Sequence, residues 1–150
     1  MLQAIDDSCG QVIKIMMEST HGMGTGRPQR KVVVVDDDIV CARLLQEALA
    51  LEGYVVKSAT QSLRAYDVVC DVQPDLVLLD YMMPYLSGDD IARLLRMNPA
   101  TAPIPIILMT ATTLSGLYSR LPQDMQDIPC LLKPFSVDAL IESIEREMNP

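Results

Sequence analysis

Three carboxylates, one hydroxyl and one ammonium recur at comparable places in this sequence of 150 residues, each directly after a short apolar run. Asp36 and Asp37 follow Val32 to Val35, Asp80 follows Leu78 and Leu79, Thr110 with Ala111 follows Ile106 to Met109, and Lys133 follows Leu131 and Leu132 and precedes Pro134. If those runs are parallel strands of one sheet, the five groups meet along one edge, because ligands of open parallel sheets bind beyond the carboxyl ends of the strands. Two carboxylates about 4 Å apart repel by roughly 4 kcal/mol at an effective dielectric near 20, so such a cluster requires a cation. A hard divalent ion suits oxygen ligands, and Mg2+ in particular binds through one or two carboxylates, retained waters and a phosphate. The chemistry so assembled is phosphoryl transfer. Asp80 attacks phosphorus, the metal and Lys133 neutralise the equatorial oxygens, and Thr110 donates a hydrogen bond. Singly, each residue has a plainer reading: Asp36 or Asp38 as a helix cap, Lys133 as a surface charge, Thr110 as a strand residue. Their order along the chain is what points to a site.

The elements that must position them follow from the hydrophobic pattern. From Lys31 onward, short β-branched runs alternate with amphipathic stretches, which implies parallel strands joined by crossover helices. The predicted strands are Lys31 to Val35, Tyr54 to Ser58, Asp75 to Leu79, Ile104 to Met109 and Cys130 to Leu132. Several are apolar throughout, as strands covered on both faces should be. Predicted helices run from Ile39 to Leu51, ended by Gly53, from Gln61 to Asp71 and from Asp89 to Met97. A last helix starts after a Ser136 cap and buries Val137, Leu140, Ile141 and Ile144, with Glu142 and Arg146 paired on its wet side. Between Thr110 and Cys130, Gly116 and Pro122 predict a fourth helix that is short or irregular.

Residues 1 to 30 stand apart from the domain at 31 to 150. Ile5, Cys9, Val12, Ile13 and Met16 can form one apolar helical stripe before Gly22, Gly24, Gly26 and Pro28 break it, so a helix and a Gly-rich linker are expected. The glycine run precedes a strand and lacks a Walker lysine, which removes a phosphate-loop reading. His21, in the linker, reads as a solvated side chain.

Composition sets the outer bounds. Nearly half the residues are apolar, enough for one core, and no run approaches the roughly 20 residues that a membrane-spanning helix needs. Asp6, Asp7, Lys14 and Glu18 interrupt any signal-peptide core. Four cysteines with no Cys-x-x-Cys pair argue against a zinc site or a disulfide framework, so a soluble protein of the reduced cytoplasm is expected, without membrane insertion. The formal net charge of −8 argues against direct nucleic-acid binding.

The segments Val32 to Asp38, Leu78-Leu79-Asp80-Tyr81-Met82-Met83-Pro84 with Gly88, Ile106 to Ala111, and Leu132-Lys133-Pro134-Phe135 resemble those of response-regulator receiver domains of two-component signalling. The match covers about residues 31 to 148. The resemblance implies a doubly wound five-stranded parallel sheet of order 2-1-3-4-5, the flavodoxin-like receiver fold, flanked by five helices. It implies that Asp80 accepts phosphate from a histidine kinase or histidine phosphotransfer protein. Asp37, Asp80 and the Met82 carbonyl then bind Mg2+, Asp36 assists through water, Thr110 and Lys133 contact the phosphoryl oxygens, and the Lys133-Pro134 bond is cis. Such a domain is no enzyme beyond its own phosphorylation and dephosphorylation. It signals through a downstream protein partner, and a homodimer is compatible with it.

One departure stands out: Cys130 occupies the place of the family's Tyr or Phe, three residues before the lysine. This favours output through another surface, such as the N-terminal helix, and keeps open a phosphorylation-independent interaction module. An aspartate-nucleophile phosphatase of the haloacid dehalogenase type shares an Asp, Thr, Lys and Mg2+ set, but it requires an acid where this chain has Met82. With Pro150 closing the last helix, a stand-alone receiver and a receiver from a longer chain are both expected readings.

Overall fold

A computed structural model of the chain describes residues 29–150, so the expected N-terminal helix, the Gly-rich linker and His21 lie outside the described residues. Strands and helices alternate as β1 (Lys31–Val35), α1 (Ile39–Leu51), β2 (Val55–Ala59), α2 (Ser62–Val72), β3 (Leu76–Asp80), α3 (Gly88–Met97), β4 (Ile106–Thr110), α4 (Leu114–Arg120), β5 (Cys130–Leu132) and α5 (Val137–Met148). The five strands form one sheet of order β2-β1-β3-β4-β5, and every pairing is parallel.

Successive strand residues point to opposite faces, and here each face meets its own helical layer. Val33, Val35, Val77, Leu79, Ile106 and Leu108 pack with Ala65 and Val69 of α2 and Ile91, Ala92 and Leu95 of α3. Val32, Val34, Leu76, Leu78, Ile107 and Met109 pack with Leu45 and Leu49 of α1 and Leu140 and Ile144 of α5. Both faces are dry, which is why these strands read as apolar without alternation.

Several expected boundaries move by one or two residues. β2 runs to Ala59 and β3 to Asp80, so the acid that should follow β3 is its last residue. β4 begins at Ile106 and not Ile104, because the Ile104 N–H closes a turn onto the Thr101 carbonyl at 3.0 Å. α1 ends as expected at Gly53, whose φ of +95° suits a residue without Cβ. The Ser136 hydroxyl caps α5 by accepting from the Ala139 N–H, and Arg146 pairs with Glu142 at 3.2 Å.

The fourth helix is short, as Gly116 and Pro122 predict. α4 has seven residues, and a 3-10 turn follows over Gln123–Met125. This irregular stretch is tied to α3 by Arg96, whose guanidinium donates to both carboxylate oxygens of Asp127 at 3.1 and 2.8 Å and to the Asp124 carbonyl at 2.7 Å. Cys70 and Cys130 are free. Among the described residues no helix is long and apolar enough to cross a membrane.

Candidate functional site

The carboxyl ends of β1, β3, β4 and β5 gather the five predicted groups on one rim. Asp36 leaves β1 with its N–H bonded to the Ala59 carbonyl of β2, which holds the carboxylate over the sheet edge instead of letting it turn to solvent. Its Oδ1 accepts from the Asp38 N–H at 3.0 Å, while Asp38 in turn caps α1 by accepting from the Val40 and Cys41 N–H groups. Asp37, between them, is exposed. Asp80 is buried at the end of β3, and one oxygen from each of Asp36, Asp37 and Asp80 lies within 4.8 Å of the others.

Among the described residues, Lys133 supplies the cation in direct contact. Its backbone N–H bonds the Thr110 carbonyl at 2.7 Å, the Lys133-Pro134 peptide is cis, and the side chain reaches past β4 into the cluster. Nζ donates to Asp36 Oδ2 at 2.9 Å and lies 3.6 Å from Asp80 Oδ1. The closer partner is thus Asp36, which the chain order did not reveal. One ammonium against three carboxylates leaves the rim negative.

That imbalance moves the acidities. Burial pushes Asp80 up to about 7, with the neighbouring Asp36 and Asp37 charges adding to the rise and Lys133 opposing it. Burial alone would lower the Lys133 ammonium, but Asp36 and Asp80 outweigh it and hold it above the ordinary lysine value. An oxygen-only donor set with surplus negative charge and one exposed acid is what a hard divalent cation fits.

The loop after Asp80 is pinned at several points. Tyr81 donates its N–H to Met109 and accepts from the Gly88 N–H at 2.8 Å. The Ser62 hydroxyl, buried at the start of α2, donates to the Pro84 carbonyl at 2.6 Å and accepts from the Leu86 N–H at 3.3 Å. Ser87 and Asp90 form a reciprocal capping box that starts α3. Met82, whose carbonyl the resemblance assigns to the metal, sits exposed in this loop.

Thr110 is buried at the end of β4, one residue beyond Met109, the register partner of Asp80. Its hydroxyl meets that of Thr112 at 2.9 Å and accepts from the Thr112 N–H at 3.1 Å. Sequence reasoning overlooked Thr112 and Ser62. The Thr-x-Thr spacing, which allows a side chain to bond a backbone group two residues on, was the available signal for Thr112. At the departure from the resemblance, the half-buried Tyr118 of α4 stands beside Cys130, and burial followed by the adjacent thiol pushes its phenol up to about 12.

Comparison with known proteins agrees with this geometry. A family model described as response regulator receiver domain matches residues 32–145. The DNA-binding response regulator MtrA of Mycobacterium bovis is 41% identical over 125 residues, covering 81% of this chain and 51% of that protein. The phosphate regulon transcriptional regulatory protein PhoB of Pseudomonas aeruginosa is 38% identical over 82 residues, 55% of this chain and 36% of that protein. The chain therefore spans about half the length, or less, of these relatives. Among solved structures, the receiver domain of the Francisella response regulator 1452 superposes with a TM-score of 0.70 at 27% identity, covering 80% of this chain and 97% of that one. The receiver domain of the Pseudomonas aeruginosa sensor histidine kinase PA1611, described with a magnesium ion coordinated in its active site cleft, gives a TM-score of 0.73 at 23% identity over 82% of this chain and all of that one, a likeness of fold.

Proposed function

This chain belongs to the response regulator receiver domain family of two-component signalling, and from that premise we propose that Asp80 is its phosphoacceptor, served by Thr110 and Lys133. The single observation that carries the assignment is the convergence of Asp36, Asp37 and Asp80 within 4.8 Å, with Lys133 against two of them. We further assign Mg2+ to Asp37, Asp80 and the Met82 carbonyl, with Asp36 acting through water. When bound, the ion supplies positive charge against the phosphoryl oxygens.

The residues of the chain do the rest. An Asp80 carboxylate oxygen forms a bond to phosphorus as the phosphorus–nitrogen bond of a phosphohistidine breaks, and the histidine nitrogen departs with the electron pair and takes up a proton. Lys133 balances charge on the transferred group, and Thr110 offers it a hydroxyl proton. The donor is accordingly a histidine kinase or a histidine phosphotransfer protein, and a downstream protein receives the signal. Because such kinases draw on ATP, the reading locates the chain in the cytoplasm. Relatives named as DNA-binding extend well beyond the matched region, and DNA binding is not assigned to these 150 residues.

Intact-mass measurement after acetyl phosphate and Mg2+ treatment tests the assignment. Wild type is expected to gain about 80 Da, the mass of a phosphoryl group, and Asp80→Asn nothing. An equal gain in both proteins would refute Asp80.

A further inference from the structure

The Thr110 hydroxyl, buried at the end of β4, is engaged by its own loop before any phosphoryl group arrives. A threonine hydroxyl has one proton to donate and two lone pairs to accept with. The Thr112 N–H, at 3.1 Å, takes one lone pair, and the Thr112 hydroxyl stands at 2.9 Å from the same oxygen. That second contact has two settings. In one, Thr110 gives its proton to Thr112 and has none left for another acceptor. In the other, Thr112 donates to the remaining lone pair, and the Thr110 proton can leave only toward an oxygen outside the loop.

We propose that Thr112 is a positioning residue for phosphoryl capture at Asp80, donating from both its amide and its hydroxyl so that the Thr110 proton is turned to the incoming group. The inference rests on the reading of Asp80 as phosphoacceptor. Thr112 touches neither the carboxylates nor Lys133 in the hydrogen bonds that define it; it acts through Thr110. The next residue, Thr113, caps α4 by accepting from the Gly116 N–H at 3.1 Å, so the loop that orients Thr110 is anchored on its far side as well. The amide contact survives any side-chain change at 112, and a substitution there isolates the hydroxyl. Valine keeps the branched shape and loses the donor, which leaves one Thr110 lone pair unfilled and its proton free to rotate. Serine keeps the donor.

The test uses the full chain with Mg2+, acetyl phosphate and the phosphoryl mimic beryllofluoride. Thr112→Val is expected to slow mass gain and weaken beryllofluoride binding by roughly three- to tenfold, the range that one hydrogen bond carries. Thr112→Ser should stay within about twofold of wild type on the same scale. In a Thr110→Ala background, Thr112→Val should have no further effect, because the group it acts through is gone. Mg2+ affinity, read separately by calorimetry, should not change with Thr112→Val. No loss in Thr112→Val, an equal loss in Thr112→Ser, or an undiminished loss in the Thr110→Ala background would each overturn the proposal. Failure of wild type to gain mass would instead overturn the reading of Asp80, and the Asp80→Asn control separates the two.

Discussion

Burial acts most strongly on Asp80, whose carboxyl is pushed up to about 7 while its unfolded value stays in the ordinary carboxylate range. Between those two values the folded chain holds a proton that the unfolded chain has released, so the contribution of Asp80 to stability is full below the window and falls as pH rises through it. Metal-free Asp80→Asn lacks that fall, and urea unfolding at about pH 8 should find it more stable than wild type by on the order of 1 kcal/mol, with the gap closing near pH 4. A carboxylate must lose its proton to bind a metal, so Mg2+ affinity should weaken by up to roughly tenfold per pH unit below about 7 and level off above it, with proton release visible by calorimetry in buffers of different ionisation heat. Lys133 behaves in the same sense, in a far more alkaline window. Its ammonium is held above the ordinary lysine value, so its pairing is complete at neutral pH and lost only in strong alkali. Lys133→Met leaves the buried Asp36 without its ammonium partner and should lower stability by roughly 3 kcal/mol in urea melts at neutral pH. Each of these side chains was legible in the sequence from its type and its place after an apolar run. Thr112 left only the Thr-x-Thr spacing as a signal, because which group its hydroxyl meets is set by loop geometry.

Elements decide how firmly that chemistry is held. Gly88 opens α3 so close to β3 that an added Cβ would lie 2.7 Å from the Asp80 carbonyl and 2.9 Å from the Tyr81 Cα. Both neighbours are backbone, so Gly88→Ala must displace the strand end or the helix. We expect it to lose about 1–3 kcal/mol in denaturant melts and to slow phosphoryl uptake at the adjacent Asp80. The Pro84 to Leu86 stretch depends on Ser62 from another helix, so in Ser62→Ala the Leu86 amide should exchange with deuterium faster, with little change at β1 or β3. Helix and strand identities were readable because periodicity reports whether one face or two are covered. Boundaries shifted where turn hydrogen bonds, such as that of Ile104 to Thr101, claimed residues that the apolar pattern had given to a strand.

At the scale of the whole molecule, the sheet order β2-β1-β3-β4-β5 brings strand ends far apart in the chain onto one rim. Net charge acts at this scale too. With −8 overall, the 150 residues alone should not retard duplex DNA in a gel at physiological salt, even though relatives named as DNA-binding share the matched region. We propose the division into residues 1–30 and a domain at 31–150, since the first strand of the sheet begins at Lys31 and the family match spans residues 32–145. Cys130 of β5 and Tyr118 of α4 lie side by side in space, a contact between elements that no linear motif contains.

The sequence by itself indicated which strands are covered on both faces, and that three acids, a threonine and a lysine lie at or just past strand ends, so that they would share one rim. Apolar runs record local environment, and the chemistry of an end residue needs no knowledge of its neighbours. Only the tertiary structure decided how those groups pair: that Lys133 lies nearer to Asp36 than to Asp80, and that the Thr110 hydroxyl is already held by Thr112. Such contacts depend on strand order, register and loop path to within an ångström or so, and these are set by packing across the whole sheet rather than by any segment of the chain.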